Sequence, residues 1–368
     1  MTDILEENVE EENLELSVQI ETSTKKKNWF VRYWKFILGL IVTIGLLTYL
    51  IITSEPDKIW ITLSNSNYLL ILAAFGCTAL LFVIKTIRWK AILLQQGHNV
   101  NFLQAFNLIL IGTFGSAITP AKAGDILRAF YLSKKKSEIK VGTSVFSVVF
   151  DRILDLGGIF LIVAFSPLVL LRFNSTIDWR IPVGIVGGFV LFILIVVFVF
   201  TKKITKPILN FVLKFISKMF KKKETKEKID ITTAEIIDDF YKGQKNYKAK
   251  NYLWLGFLSV LFWILLGLQG GLLLLAFDVA QIDYFTVIVT LCIAAIVSLT
   301  IPTTIAGVGV RDFVIMYVLG FLMSLPNEFA ISLSLIQTFI NVLLPGIIGA
   351  ILLFVKPRKK QPAIAAPN

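Results

Sequence analysis

The chain has 368 residues, 56% of them hydrophobic and only 17% charged, with a mean hydropathy of +0.76. That balance belongs to an integral membrane protein and excludes a water-soluble globular enzyme. The formal net charge of +12 does not point to nucleic acid. The excess sits in loops beside apolar segments, where anionic lipid headgroups are the expected partner.

Residues 1–24 are acidic and polar with no apolar h-region, so a disordered cytoplasmic tail is expected and a cleavable signal peptide is not. Lys25, Lys26, Lys27, Arg32 and Lys35 then precede an apolar stretch over 36–53 that is long enough to span. The basic cluster places the N-terminus inside, with Trp34 as an interfacial anchor. Residues 54–67 form an outer loop with Pro56 at a helix start. Residues 68–84 return to the cytoplasm and end in KTIRWK.

The stretch 101–136 is apolar but broken at Thr119–Pro120 and at Gly124, with Asp125 and Arg128 just beyond. Lipid cannot satisfy the backbone of an interrupted helix, so the break must lie inside protein or beside water. Charges at such depth are costly and mark functional candidates. From Pro120 to Ser133, fourteen residues, a helix would reach about 21 Å, short of a hydrocarbon core of roughly 30 Å. Lys85, Arg88 and Lys90 stand before this stretch and Lys134, Lys135 and Lys136 after it. Both flanks are therefore cytoplasmic, and the stretch reads as a re-entrant hairpin. Two ordinary crossings, one unusually short, are the alternative.

Residues 141–171 cross outward and carry Asp151, Arg152 and Asp155. The two aspartates are four apart and share a helix face, while Arg152 points elsewhere. Residues 181–200 return. The basic loop 201–251 is cytoplasmic and includes an interfacial amphipathic helix over 209–220 and a charge run over 221–228. Residues 252–277 cross outward. A second broken segment, 283–325, follows with Pro302, Gly307, Gly309, Arg311 and Asp312. Residues 329–355 run back in to a basic tail, 356–368.

Arg128 and Arg311 are 183 residues apart, as are Gly124 and Gly307. Paired interrupted segments in corresponding halves mark the midplane site of a transporter. The expected fold is all-α: a polytopic membrane protein of six full transmembrane helices and two re-entrant hairpins, eight membrane segments in all. It forms an inverted-topology repeat, with a first repeat over about 68–200 and a second over about 252–355.

At PAKAGDILRAF, SVVFDRILDL and IPTTIAGVGVRDF the chain resembles a flippase-like family. That family includes the N-terminal membrane domain of lysylphosphatidylglycerol synthase, the bacterial multiple peptide resistance factor. The likeness covers roughly 88–355. Its first motif matches Pro120, Gly124, Asp125 and Arg128. An acidic–arginine pair matches Asp151 and Arg152, where glutamate is commoner first, and a glycine-rich motif matches Gly307, Gly309 and Arg311 with Asp312 after it. The full-length synthase carries a cytosolic aminoacyltransferase domain, for which the residues after 355 leave no room. The resemblance thus implies lipid translocation, not lysine transfer.

Arg128 and Arg311 are expected to clamp a lipid phosphate, with bidentate donors that stay charged. The half-helix N-termini after Gly124 and Gly309 add free N–H groups. The plainer reading is that each arginine pairs with a nearby acid and holds its hairpin. Asp151, Arg152 and Asp155 serve equally as a relay, as counter-charge to Arg128, or as a solvated salt-bridge cluster. The prolines and glycines make the breaks. Gln269 is expected in a helix–helix hydrogen bond, and the GxxxG pairs 184/188 and 267/271 in close packing. Cys77 and Cys292 read as core thiols.

The expected function is a flippase for an anionic or aminoacylated phospholipid or a polyprenyl-phosphate-linked sugar. It sits in the plasma membrane with both termini cytoplasmic, and a homo-oligomer is allowed. The chain is read as no enzyme and without metal or cofactor: His98 is the one histidine, and no nucleophile–base pair or ligand cluster is visible. An intramembrane lipid-modifying enzyme and a scaffold for membrane glycosyltransferases are the other two classes.

Overall fold

The computed structural model describes residues 39–119, 123–135, 138–167, 180–201, 239, 241, 249–300 and 307–354. Expectations for Pro120, Pro302, the N-terminal tail, the amphipathic stretch 209–220, the charge run and the C-terminal tail lie outside these residues. Every regular element among the described residues is helical.

Helix α1 (Gly39–Thr53) meets α2 (Pro56–Ser64) at 80°. Pro56 occupies the first turn of α2, where its missing N–H costs nothing. Helix α3 (Tyr68–Gln95) starts on Asn67, whose side chain accepts from the Leu69 and Leu70 N–H groups. It does not stop at residue 84: it runs on through KTIRWK to Gln95, because no helix breaker comes before Gly97. Arg88 and Trp89, expected in a cytoplasmic flank, are therefore fully buried.

Helix α4 (Phe102–Ile118) ends at the expected break, and a 3₁₀ turn (Ala123–Ile126) leads into the short α5 (Leu127–Lys135). Helices α6 (Val141–Val163), α7 (Arg180–Phe200) and α8 (Ala249–Ala276) follow. Asp283 caps α9 (Tyr284–Thr300), accepting from Phe285 N at 3.1 Å. Then come α10 (Val310–Met323) and α11 (Asn327–Thr338). A π-turn (Phe339–Leu343) joins α11 to α12 (Leu344–Phe354).

Among the described residues, three helical spans are long and apolar enough to cross a membrane: Tyr68–Gln95, Lys250–Ala276 and Asn327–Phe354. The bent α1–α2 pair makes a fourth if it is one span. Helices α4 and α9, 17 residues each, reach about 25 Å. Leu69, Leu253 and Phe321 are largely exposed, while arginines and aspartates are buried. That inversion of the soluble pattern fits a protein solvated by lipid. The chain is a multi-pass membrane protein.

Glycines set the closest packing. Cβ atoms on Gly267 and Gly271 of α8 would collide with Ile288 and Tyr284 of α9, so the second GxxxG pair does bring helices together. Gly188 faces Phe160, and a Cβ on Gly349 would strike the Leu110 backbone. Gln269 donates to Ala74 O at 2.9 Å and to Thr78 Oγ1 at 2.7 Å, and accepts from Asn341 Nδ2 at 2.8 Å. It thus ties α8 to α3 and to the π-turn. Cys77 and Cys292 are free thiols, the second buried.

Candidate functional site

The first hairpin closes by backbone contact. A Cβ on Gly124 would fall on the Gly115 backbone, and one on Gly112 would meet the Asp125 carboxylate at about 2.6 Å. The small face of α4 therefore receives the 3₁₀ turn. Gly124 is needed for this close approach, whereas Gly307 and Gly309 of the second hairpin are needed for positive φ, 77° and 90°. Thr119 Oγ1 accepts from Gly124 N at 2.7 Å, and Asp312 accepts from Gly309 N at 2.8 Å. The backbone groups expected to be free for an anion at these two glycines are thus already engaged by the chain's own side chains.

Six charged side chains form a closed ring beside the first hairpin. Arg88 reaches Asp151 at 2.7 Å and Asp155 at 2.6 Å; Arg128 reaches Asp151 at 2.6 Å and Asp125 at 3.2 Å. Arg152 bonds Asp125 and lies 3.4 Å from Asp155. Each acid touches two arginines and each arginine two acids. A buried ring of this kind holds together only as a unit, since removing one member leaves an uncompensated charge. Asp151 and Asp155 share a face as expected. Arg152 does not point elsewhere: a turn of helix brings it back to Asp155 and across to Asp125.

The ring corrects the clamp assignment for one arginine. Arg128 and Asp151 are 0% exposed, and the Arg128 guanidinium lies over Trp89, 4.9 Å from the ring centroid. It joins the first hairpin to α6 and leaves no surface open to a headgroup. Arg152, by contrast, is 33% exposed. Arg88 sits where a basic flank was expected from charge alone; it also donates to Ser259 at 2.9 Å.

In the second hairpin Arg311 lies 2.8 Å from Asp312, donates to Ser334 O at 3.4 Å and bonds the Thr338 hydroxyl. Ser334 donates to Asp312. The 183-residue offset that links Arg128 with Arg311 also links Asp151 with Ser334 and Asp155 with Thr338. Neutral hydroxyls thus stand where the first half has carboxylates. Arg311 keeps 16% of its side-chain surface exposed.

That surface opens into a cavity of about 170 Å³, the volume of about six waters at roughly 30 Å³ each. Lys85, Arg152 and Asp155 reach it from α3 and α6, and Arg311 from the second hairpin. Thr113, Ser116, Ser298, Gln337 and Asn341 supply polar wall; Phe82, Phe262 and Trp263 supply an apolar one. The π-turn positions Asn341 here, in keeping with the habit of such turns to occur at functional sites. Among the described residues, Lys85 carries no ion pair or hydrogen bond. Sequence reasoning missed Lys85 and Arg88 as site residues, and Ser334 and Thr338 as counterparts of acids. No group of three metal-ligating side chains occurs among the described residues.

The chain is similar to known membrane proteins. The chain is 29% identical to a UPF0104 membrane protein of Methanocaldococcus jannaschii over 91% of its own length and 96% of the relative's. A UPF0104 membrane protein of Archaeoglobus fulgidus is 28% identical over 32% of the chain and 36% of the relative. Glycosyltransferase AglD of Haloferax volcanii is 26% identical over 33% of the chain and 19% of the relative. Residues 36–349 match the lysylphosphatidylglycerol synthase TM region, and the chain belongs to that family.

Proposed function

We propose that this protein moves a phosphate-bearing membrane lipid between leaflets. The observation that carries this reading is the headgroup-sized cavity between the two hairpins, into which Lys85, Arg152 and Arg311 project from opposite halves. Cations at membrane depth are retained for substrates or for structure, and these three are, among the described residues, the ones that line the cavity. An anionic or aminoacylated phospholipid and a polyprenyl-phosphate-linked sugar both carry the group such a site would hold. No covalent step is involved, and no metal or cofactor.

In this reading the two hairpins are re-entrant, the halves are related by inverted topology, and eight segments enter the membrane. The constant offset of 183 residues between the arginines, and between Asp151 and Ser334, supports it. In the same reading both termini lie in the cytoplasm of a plasma-membrane protein, against anionic headgroups, and the basic flanks support this.

The test is leaflet exposure of labelled lipid in proteoliposomes. Wild-type protein should equilibrate the label, and Arg152→Gln with Arg311→Gln should slow it at least about tenfold, two charge-assisted contacts being lost. Unchanged exchange in the double variant would refute the site. The likeness to a glycosyltransferase favours one other reading, a scaffold for such enzymes. Co-purification of an enzyme with no lipid movement would select it.

A further inference from the structure

Among the described residues, the charges around the cavity do not cancel. Five cations, Lys85, Arg88, Arg128, Arg152 and Arg311, surround four carboxylates, Asp125, Asp151, Asp155 and Asp312. Each of these arginines is paired. The charge left over is that of Lys85, which lines the cavity with no hydrogen bond or ion pair among the described residues. An unpaired ammonium at membrane depth is costly and is relieved by one negative charge brought to it.

Resting on the transport reading above, we infer that the bound head is a phosphodiester of net charge −1, held by Lys85 between Arg152 and Arg311. A lipid whose head is net cationic is rejected. A lysyl ester of phosphatidylglycerol carries one phosphate charge against two ammonium groups. It would raise the local excess from one to two in a medium of low dielectric, where like charges repel strongly. A glycerol or sugar phosphodiester brings the sum to zero. The Thr113, Ser116 and Asn341 side chains give such a head a polar wall, and the Trp263 ring gives it an apolar one. The chain thereby differs in preferred substrate from the lysylated lipid in its family's name.

The experiment is native mass spectrometry of the full chain released from micelles holding equal amounts of four lipids: phosphatidylglycerol, lysyl-phosphatidylglycerol, phosphatidylcholine and a mannosyl phosphopolyprenol. The two diester lipids should be retained at least about tenfold over the lysylated one, the worth of one charge-assisted contact. Lys85→Gln should reduce that preference to about twofold, and Lys85→Arg should restore it. Which diester is held more tightly distinguishes a glycerol from a sugar head. Equal or greater retention of the lysylated lipid overturns the inference, as does a preference that Lys85→Gln leaves intact, which would mark annular binding. Retention of lysylated lipid that also crosses leaflets in proteoliposomes would leave transport standing and remove the charge selection. A diester preference without leaflet exchange would do the reverse.

Discussion

Arg88 on α3 and Asp151 on α6 meet at 2.7 Å with side chains 1% and 0% exposed, and the other oxygen of the same carboxylate holds Arg128 at 2.6 Å. One acid thus joins the long helix, the first hairpin and α6. Asp151→Asn would leave two buried guanidinium groups sharing the remaining acids, a change of the kind that costs about 3–5 kcal/mol. Arg152→Gln, at a partly exposed member of the ring, should cost about 1 kcal/mol. Thermal unfolding in detergent compares them: Asp151→Asn should show much the larger drop in midpoint. Equal drops would show that the partly exposed Arg152 is held as firmly as the buried members of the ring.

The turn of the first hairpin rests on two glycines in backbone contact. Gly124→Ala places a methyl group on the Gly115 backbone, and backbone cannot step aside as a side chain can. The loss should exceed the roughly 1–3 kcal/mol usual for an overpacked core. Gly256→Ala is the control, because nothing lies within 4 Å of where its new methyl group would stand; there the helix should gain up to about 1 kcal/mol. Midpoints moving in opposite directions are the expected result, and a neutral Gly124→Ala would disprove the close approach.

Much of this architecture is legible in the residues, for identifiable reasons. Apolar runs locate the helices, although α3 runs on to Gln95 where an end at 84 was expected, and α4 ends at Ile118 and α10 starts after Gly309 near where the sequence places its breaks. Gln269 is readable as a helix–helix contact because an amide in an apolar run has few other uses. Arg88 misleads because a basic residue after an apolar run follows the positive-inside rule; only its pairing with Asp151, 63 positions away, shows that α3 carries it inward. Ser334 and Thr338 escape notice because hydroxyls are common in membrane helices and carry no charge signal. Their offset of 183 from Asp151 and Asp155 is the available clue.

The amide at Gln269 offers a third measurement. It fills three contacts between α8, α3 and the π-turn. Gln269→Leu would remove the acceptor of the Asn341 amide and the bonds to α3, costing about 1–3 kcal/mol. Since Asn341 also lines the cavity, labelled-lipid exchange should slow along with the loss in midpoint. A drop in stability with exchange untouched would mean that the π-turn does not shape the site.

The two halves differ in what they set beside their arginines. Arg311 bonds the Thr338 hydroxyl, whereas the position 183 residues earlier is Asp155, a ring carboxylate. Keeping Thr338 neutral leaves Arg311 free to trade a weak partner for a phosphate. Thr338→Asp would give it a second carboxylate and make this half resemble the locked first one. The fold should survive, with a midpoint equal to or above that of the wild type, while lipid exchange falls at least about tenfold, or about 1.4 kcal/mol in barrier. Thr338→Val removes the hydroxyl without adding charge and should keep exchange within about threefold. Wild-type exchange in Thr338→Asp would mean that Arg311 never leaves its resting partners, and the carrying of a headgroup would have to be assigned to Lys85 and Arg152 alone.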